Sequence, residues 1–284
     1  MSTKDPYQLD KSLVRRSFDR AAAGYEQVAV LQREVGKRLV ERLDLINMTP
    51  HRILDLGTGC GGTSNALMER YRDSRLVALD LSESMLKQAN KNARQQKRPA
   101  YICGDMENVP CTNAGFDLIF SNLTLQWCND VGQALGEFAR LLRPGGTVLF
   151  TTFGPDTLKE LRASWSQVDS YTHVNGFFDM HDIGDALMQC GLTEPVMDTE
   201  TFTLTYPSLN KLMGDLKDMG AHNVTAGRPR GLTGKGKLRT LEQAYEVFRL
   251  NGLLPATFEV IYGHAWAPIS SKPGQVEVPI DSLR

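Results

Sequence analysis

The sequence lacks an apolar run near the roughly 18 residues that a membrane-spanning helix needs. Its opening, MSTKDPYQLD, has no apolar signal core either. Neither sign of charge dominates: 32 Lys and Arg face 33 Asp and Glu across 284 residues, for a net charge of -1. A dedicated nucleic-acid binder needs a basic surplus to meet phosphates, so that class is excluded as the main activity. A chain disordered throughout is excluded as well, because 41% of the residues are apolar. Cysteines are few and odd in number, and Cys60, Cys103, Cys111, Cys128 and Cys190 show no CxxC spacing. Reduced thiols in a cytoplasmic protein fit this better than a disulfide framework. His51, His173, His181, His222 and His264 form no pair at helical spacing, so no metal site is expected.

What is present is a regular alternation. Residues 9–46 read as helix, with Val28, Leu31, Val35, Leu39, Leu43 and Ile46 recurring at three- and four-residue steps. RILDLGTGCGG (52–62) joins a short apolar run to a glycine-crowded loop, and a helix follows from Thr63 to Tyr71. LVALD (76–80), AYICGD (100–105), FDLIFSN (116–122) and TVLFTTF (147–153) read as further strands. Between them lie helices over 83–96, opened by Ser82, and over 130–142, ended by RPGG. Strands alternating with helices of this length predict a parallel, doubly wound sheet. Beyond residue 154 the spacing predicts a helix near 179–190 and strands over 199–206 and 257–267. The stretch 207–255 between those strands reads as a mainly helical insertion at an antiparallel edge, and 268–284 as a frayed tail.

Ligands in such sheets bind outside the carboxyl ends of the strands. Gly57, Gly59 and Gly62 satisfy G-x-G-x-x-G between a strand and a helix, so a dinucleotide must be considered. Asp55 counts against it, because a buried carboxylate repels a pyrophosphate but suits a cationic ammonium or sulfonium. Asp80 ends the second strand, 21 residues after Gly59, where a carboxylate can bridge ribose hydroxyls of any adenosyl cofactor. Asp105 beside Met106 offers a polar acceptor next to an apolar wall, and Asn122 follows the fourth strand.

Together LDLGTGCG, LVALDLSESML, GDMENVP, FDLIFSN and LLRPGGTVLF resemble the class I S-adenosylmethionine-dependent methyltransferases, over residues 15–267. The resemblance implies an α/β, Rossmann-like doubly wound sheet with an antiparallel edge strand and a helical insertion before the last strand. It divides the chain into an N-terminal helical lid (1–46), a cofactor-binding core (47–206), the insertion (207–255) and a final core strand (256–267). By the same resemblance Gly57 and Gly59 approach the methionyl part of S-adenosylmethionine, Asp80 holds the ribose, and Asp105 with Met106 meets the adenine. Asn122 with Leu123 sits near the methyl donor, Tyr25 closes the lid, and Asp55, Thr58, Leu81 and Met85 complete the implied cofactor set.

FDRAAAGYE (18–26), SNLTLQWCND (121–130), TFGPDTLKELR (152–162) and LKDMGAHNVTAGRPRGLTGKGK (216–237) are similar to the malonyl-[acyl-carrier protein] O-methyltransferase family of biotin synthesis. That resemblance implies methylation of a malonyl carboxylate, masking its charge so that chain extension toward the pimeloyl moiety can proceed. Some of the same segments resemble a mitochondrial assembly factor of respiratory complex I that hydroxylates an arginine. The polar start, with two acids, counts against a presequence of that kind. A scaffold that binds the cofactor without turnover stays open, and a nicotinamide-dependent dehydrogenase ranks below both.

Methylating a carboxylate needs no general base, since the group is already ionised at neutral pH. The substrate still needs holding, and Arg15, Arg16 and Arg20 on the amino-terminal helix are candidates because a guanidinium can grip both oxygens. Trp127 would wall the methyl-transfer pocket. The implied partner is an acidic acyl carrier protein bearing malonyl-phosphopantetheine, so its docking surface should be basic. Arg228, Arg230, Lys235, Lys237 and Arg239 fall in one glycine-rich stretch without an acid, read here as a loop that can mould to a partner.

Overall fold

The structure is a computed structural model and describes residue 5 and residues 7–94, 98–221, 223–229, 231 and 233–269. Its centre is a seven-stranded sheet built from β1 (Arg52–Leu56), β2 (Arg75–Asp80), β3 (Ala100–Cys103), β4 (Phe116–Ser121), β5 (Leu142–Phe153), β6 (Thr193–Tyr206) and β7 (Leu254–Trp266). The order across it is β3-β2-β1-β4-β5-β7-β6. Strands β1 to β5 pair in parallel, and β7 runs against both β5 and β6, giving the antiparallel edge that the sequence predicts. This is the class I methyltransferase fold.

Successive side chains of a strand point to opposite faces, and burial on both explains the continuous apolar runs. Ile53, Leu118 and Phe120 join one core layer, while Leu54, Leu56 and Ile119 join the other. The first layer is covered by α3 (Val30–Arg42), which follows α1 (Lys11–Ala21) and the single turn α2 (Tyr25–Val28). The single helix expected over 9–46 is thus broken, at Ala22–Gly24 and again at Ala29, whose ψ of 48° leaves the helical range. Behind the glycine loop lies α4 (Gly62–Arg70), and β2 leads into α5 (Glu83–Asn92), capped by the Ser82 hydroxyl. On the second layer, α6 (Val131–Leu141) is capped by Asp130. The strand after it starts earlier than expected, because Leu142 already pairs with Phe116 before a register break.

After β5 come α7 (Lys159–Trp165) and α8 (Met180–Gln189), and Gly191 at φ +83° stops the latter. The insertion between β6 and β7 contains α9 (Leu209–Asp218) and α10 (Lys235–Glu246). Its Leu212, Leu216, Leu241 and Tyr245 pack into the first layer with the sheet. The tail expected over 268–284 falls outside the described residues from 270 onward. Among the described residues no helix is long and apolar enough to cross a membrane.

Candidate cofactor and methyl-transfer site

The chain turns sharply after β1. Gly57, Gly59 and Gly61 have φ of +75°, +53° and +86°, a region that side-chain-bearing residues rarely enter. At Gly57 there is a second demand: a Cβ would lie 2.1 Å from the Thr124 hydroxyl. The loop is lashed to the neighbouring strand by Gly57 N–H and Thr58 N–H, which donate to Leu79 O at 2.8 and 3.1 Å. Gly59 N–H donates to Asp80 Oδ2 at 2.9 Å, and Ser82 N–H to Asp80 Oδ1 at 2.8 Å. Each oxygen of Asp80 keeps a lone pair for a further donor. Burial raises its carboxyl to about 6.

Two cavities, of about 660 and 100 Å³, meet over this loop. Tyr25, Gln32, Gly57, Gly59 and Asn122 line both and so mark the junction. The smaller cavity brings together Asp80, Leu81, Met85, Asp105, Met106 and Leu123 with Trp127. Thr58 lines the larger one. Every expected cofactor residue except Asp55 therefore converges here. Asp55 is fully buried beneath the loop and lines neither cavity. Its Oδ2 accepts from the Ser64 and Thr63 hydroxyls at 2.6 and 3.1 Å, and burial raises its carboxyl. It braces the helix behind the loop through Oδ2, while Oδ1 is buried with no hydrogen-bond partner among the described residues.

The far end of the smaller cavity is closed by a residue that the sequence reading missed. Lys11, from the first turn of α1, donates to Asp105 Oδ1 at 3.0 Å and also pairs with Glu107. Burial opposes its charge, but the two carboxylates outweigh that and raise its ammonium. Further along α1, Asp19 accepts from the Ser82 hydroxyl at 2.6 Å, and Phe18 meets Trp127 edge-on with centroids 5.1 Å apart. Lys11, Val14 and Phe18 share one helix face, a spacing visible in the sequence.

That face excludes the arginines. Arg15, Arg16 and Arg20 are exposed and line neither cavity. Arg15 Nε stands 3.9 Å from Asp19 Oδ2, and Arg16 donates to Ser12 O at 3.2 Å. The expected substrate arginines are corrected accordingly: α1 turns its apolar stripe inward and these three outward.

At the junction, Asn122 is held from both ends of its amide. Nδ2 donates to Gln32 O at 3.0 Å, and Oδ1 accepts from the Thr151 hydroxyl at 2.8 Å. Leu123 follows at φ +50°. Phe153, Met219 and Ala221 extend the wall on this side with Trp127, so β5 and the insertion both reach the site. Arg33 and Lys37 of α3 line only the larger cavity. Burial pushes the Cys60 thiol up to about 12.

S-adenosylmethionine fits these residues. Asp80, with its open lone pairs, could accept from the ribose hydroxyls, the apolar wall beside Asp105 could take the adenine, and Arg33 and Lys37 of α3 could meet the methionyl carboxylate. A dinucleotide fits less well, since the second half of this sheet carries the reversed strand β7 in place of a second mononucleotide-binding half.

The basic stretch is not one loop. Lys235, Lys237 and Arg239 lie on α10, and Arg228 is half-buried with its guanidinium on Thr225 O at 2.7 Å. Lys237 pairs with Asp169 at 2.7 Å. Lys235 and Arg239 are exposed, and Arg230 lies outside the described residues.

Residues 54–150 match a family model described as a methyltransferase domain. A malonyl-[acyl-carrier protein] O-methyltransferase of Methylovorus sp. (strain MP688) is 50% identical over 272 residues, covering 94% of this chain and 92% of that protein. A protein of the same name from Laribacter hongkongensis (strain HLHK9) is 48% identical, covering 93% and 92%. Among solved structures, the YcgJ protein of Bacillus subtilis superposes with a TM-score of 0.58 at 18% identity, covering 83% of this chain and 98% of that one. A likeness at that identity speaks for the fold alone.

Proposed function

Since this chain belongs to the malonyl-[acyl-carrier protein] O-methyltransferase family, we propose that it esterifies the free carboxylate of a malonyl group held on acyl carrier protein. The names of both relatives favour methyl transfer over the arginine-hydroxylase and scaffold alternatives. S-adenosylmethionine, when bound, supplies a methyl group on a sulfonium that is ready to be displaced. The observation that carries the reading is the junction between the cavities: the residues lining both include no carboxylate and no imidazole.

Such a junction suits an acceptor that arrives already ionised. The residues there align and exclude water. Asn122, fixed by Thr151 and Gln32, gives the floor a rigid edge, and Trp127, Phe153 and Met219 make an apolar wall around the incoming acyl group. A dry pocket favours a step in which opposite charges meet and cancel, because water stabilises the separated ions more than the transition state. Positioning within about 3–3.5 Å then supplies the remaining advantage.

The carrier protein is the proposed partner, docking near Lys235 and Arg239. Both are exposed on the first turns of α10, where the positive end of the helix adds to their charge. Family resemblance supports a place for the ester at the start of pimeloyl assembly for biotin.

Intact mass spectrometry of malonyl-acyl carrier protein, incubated with this protein and S-adenosylmethionine, tests the reading. The expected result is a one-methylene gain that mild ester hydrolysis removes, with acetyl-loaded carrier unchanged. No gain, with cofactor binding confirmed and the thioester intact, overturns it.

A further inference from the structure

Gln32 stands in the first turn of α3 and lines both cavities, so its side chain borders the place where they meet. Its backbone carbonyl is taken by Asn122 Nδ2, which fixes the residue against the end of β4. The carboxamide is not satisfied in the same way. Among the described residues its nitrogen reaches only the Met219 sulfur, at 3.6 Å, and Oε1 is buried with no hydrogen-bond partner. A thioether is a weak acceptor, so turning the amide over exchanges its two ends at little cost. Either end can therefore face the junction, and a buried amide without a partner is costly to keep.

The acceptor is an anion, yet among the described residues no free cation lines the junction. Lys11 is engaged by Asp105 and Glu107 at the far end, Arg33 and Lys37 line only the larger cavity, and the arginines of α1 face solvent. This suits the chemistry. A guanidinium clamped on the carboxylate would stabilise the reactant charge that the reaction must consume, and only interactions stronger in the transition state raise the rate. A neutral N–H donor can orient the group while leaving its nucleophilicity largely intact.

We propose that Gln32 binds the acceptor: its carboxamide N–H donates to one oxygen of the malonyl carboxylate and leaves the other free to attack. The assignment rests on the methyl-transfer reading above. In the step itself the free oxygen forms a bond to the methyl carbon as the carbon–sulfur bond breaks, the electron pair stays on sulfur, and no proton moves.

Two variants, Gln32→Leu and Gln32→Glu, test it. Affinity for S-adenosylhomocysteine is read by calorimetry, and KM and kcat for malonyl-acyl carrier protein by mass spectrometry. Gln32→Leu should raise KM about 10-fold or more, as expected for losing a hydrogen bond to a charged group, with the S-adenosylhomocysteine Kd held within about twofold. Retained binding also shows that the lid has folded. Gln32→Glu should keep S-adenosylhomocysteine binding, since that ligand's sulfur is a neutral thioether that does not sense the added charge strongly. It should nevertheless turn over less than Gln32→Leu, because it repels the acceptor. Unchanged KM in both variants overturns the assignment while the methyl-transfer reading stands. A parallel loss of S-adenosylhomocysteine affinity in Gln32→Leu overturns it too, by making Gln32 a cofactor or lid residue. Wild-type protein that binds cofactor but never methylates the malonyl carrier sinks both readings together.

Discussion

Lys237 donates to Asp169 over 2.7 Å, joining the first turn of α10 to the segment that follows α7. The other oxygen of the same carboxylate meets His173 Nε2 at 2.7 Å, and the imidazole stacks on Trp165 with centroids 3.5 Å apart. Burial works against the Asp169 charge, but Lys237 and His173 outweigh it and hold the carboxyl down at about 2. A depressed carboxyl stabilises the fold above its ordinary pKa of about 4, and that contribution fades as pH falls toward 2. Asp169→Asn should cost up to about 1 kcal/mol, a melting shift of roughly 2–4 °C at this chain length. Melting curves of both proteins from neutral pH down should converge in that acid window. A gap that persists at its lower end would mean that the tether does not act through its charge.

Asp80 behaves in the opposite sense. Burial raises its carboxyl to about 6, so the folded protein holds an extra proton between about 4 and 6, and this group's share of stability falls as pH rises through that range. Cofactor affinity should run the other way, since ribose hydroxyls donate best to the ionised form. Calorimetry with S-adenosylhomocysteine should show weaker binding below pH 6. Asp80→Asn should bind about 10- to 100-fold more weakly, with no such pH dependence. A variant that still titrates near 6 would place the effect on another group.

Gly57→Ala should lose cofactor affinity by about 10-fold or more and lower the melting temperature. Its φ of +75° alone costs a side-chain-bearing residue roughly 1–2 kcal/mol. The new Cβ would also stand 2.1 Å from the Thr124 hydroxyl. Adding Thr124→Ala should recover part of the loss. Gly24→Ala is the control, since its Cβ meets nothing within 4 Å. Equal damage from both alanines would show that loop geometry is not the cause.

Reversing charge at Lys235 and Arg239 together should raise KM for the carrier-bound substrate about 10-fold at low salt and leave kcat unchanged. The effect should shrink as salt rises, because exposed charges are screened within about 10 Å at 0.1 M. Cofactor affinity should not move. An unchanged KM would place carrier docking on another face.

Much of the cofactor site is legible in the sequence because the rule that produces it is local. A parallel strand followed by a polar residue puts that residue at one edge of the sheet, so Gly57, Asp80, Asp105 and Asn122 can be placed without knowing any long-range contact. Asp55 shows the limit of that rule. Two residues before the first glycine, its side chain bonds to Ser64 of the helix behind the loop. Orientation within α1 was also available, since Val14, Phe18 and Ala21 set the inner face and leave Arg15, Arg16 and Arg20 outside. Charge chemistry made the arginines attractive, while helical periodicity excluded them. The inward face of Lys11 follows from its spacing to Val14 and Phe18, but its partner Asp105 lies 94 residues away, and Gln32 is placed by Asn122, 90 residues away.

The Lys11–Asp105 ion pair runs from α1 to the wall of the smaller cavity, and the Asp19–Ser82 hydrogen bond from α1 to the start of α5. These fastenings join the very segments between which an adenosine would pass. A cofactor that passed between them would have to undo both contacts and make them again. Cofactor exchange should therefore depend on the strength of these two contacts, and Lys11→Met should speed the release of S-adenosylhomocysteine read by stopped-flow.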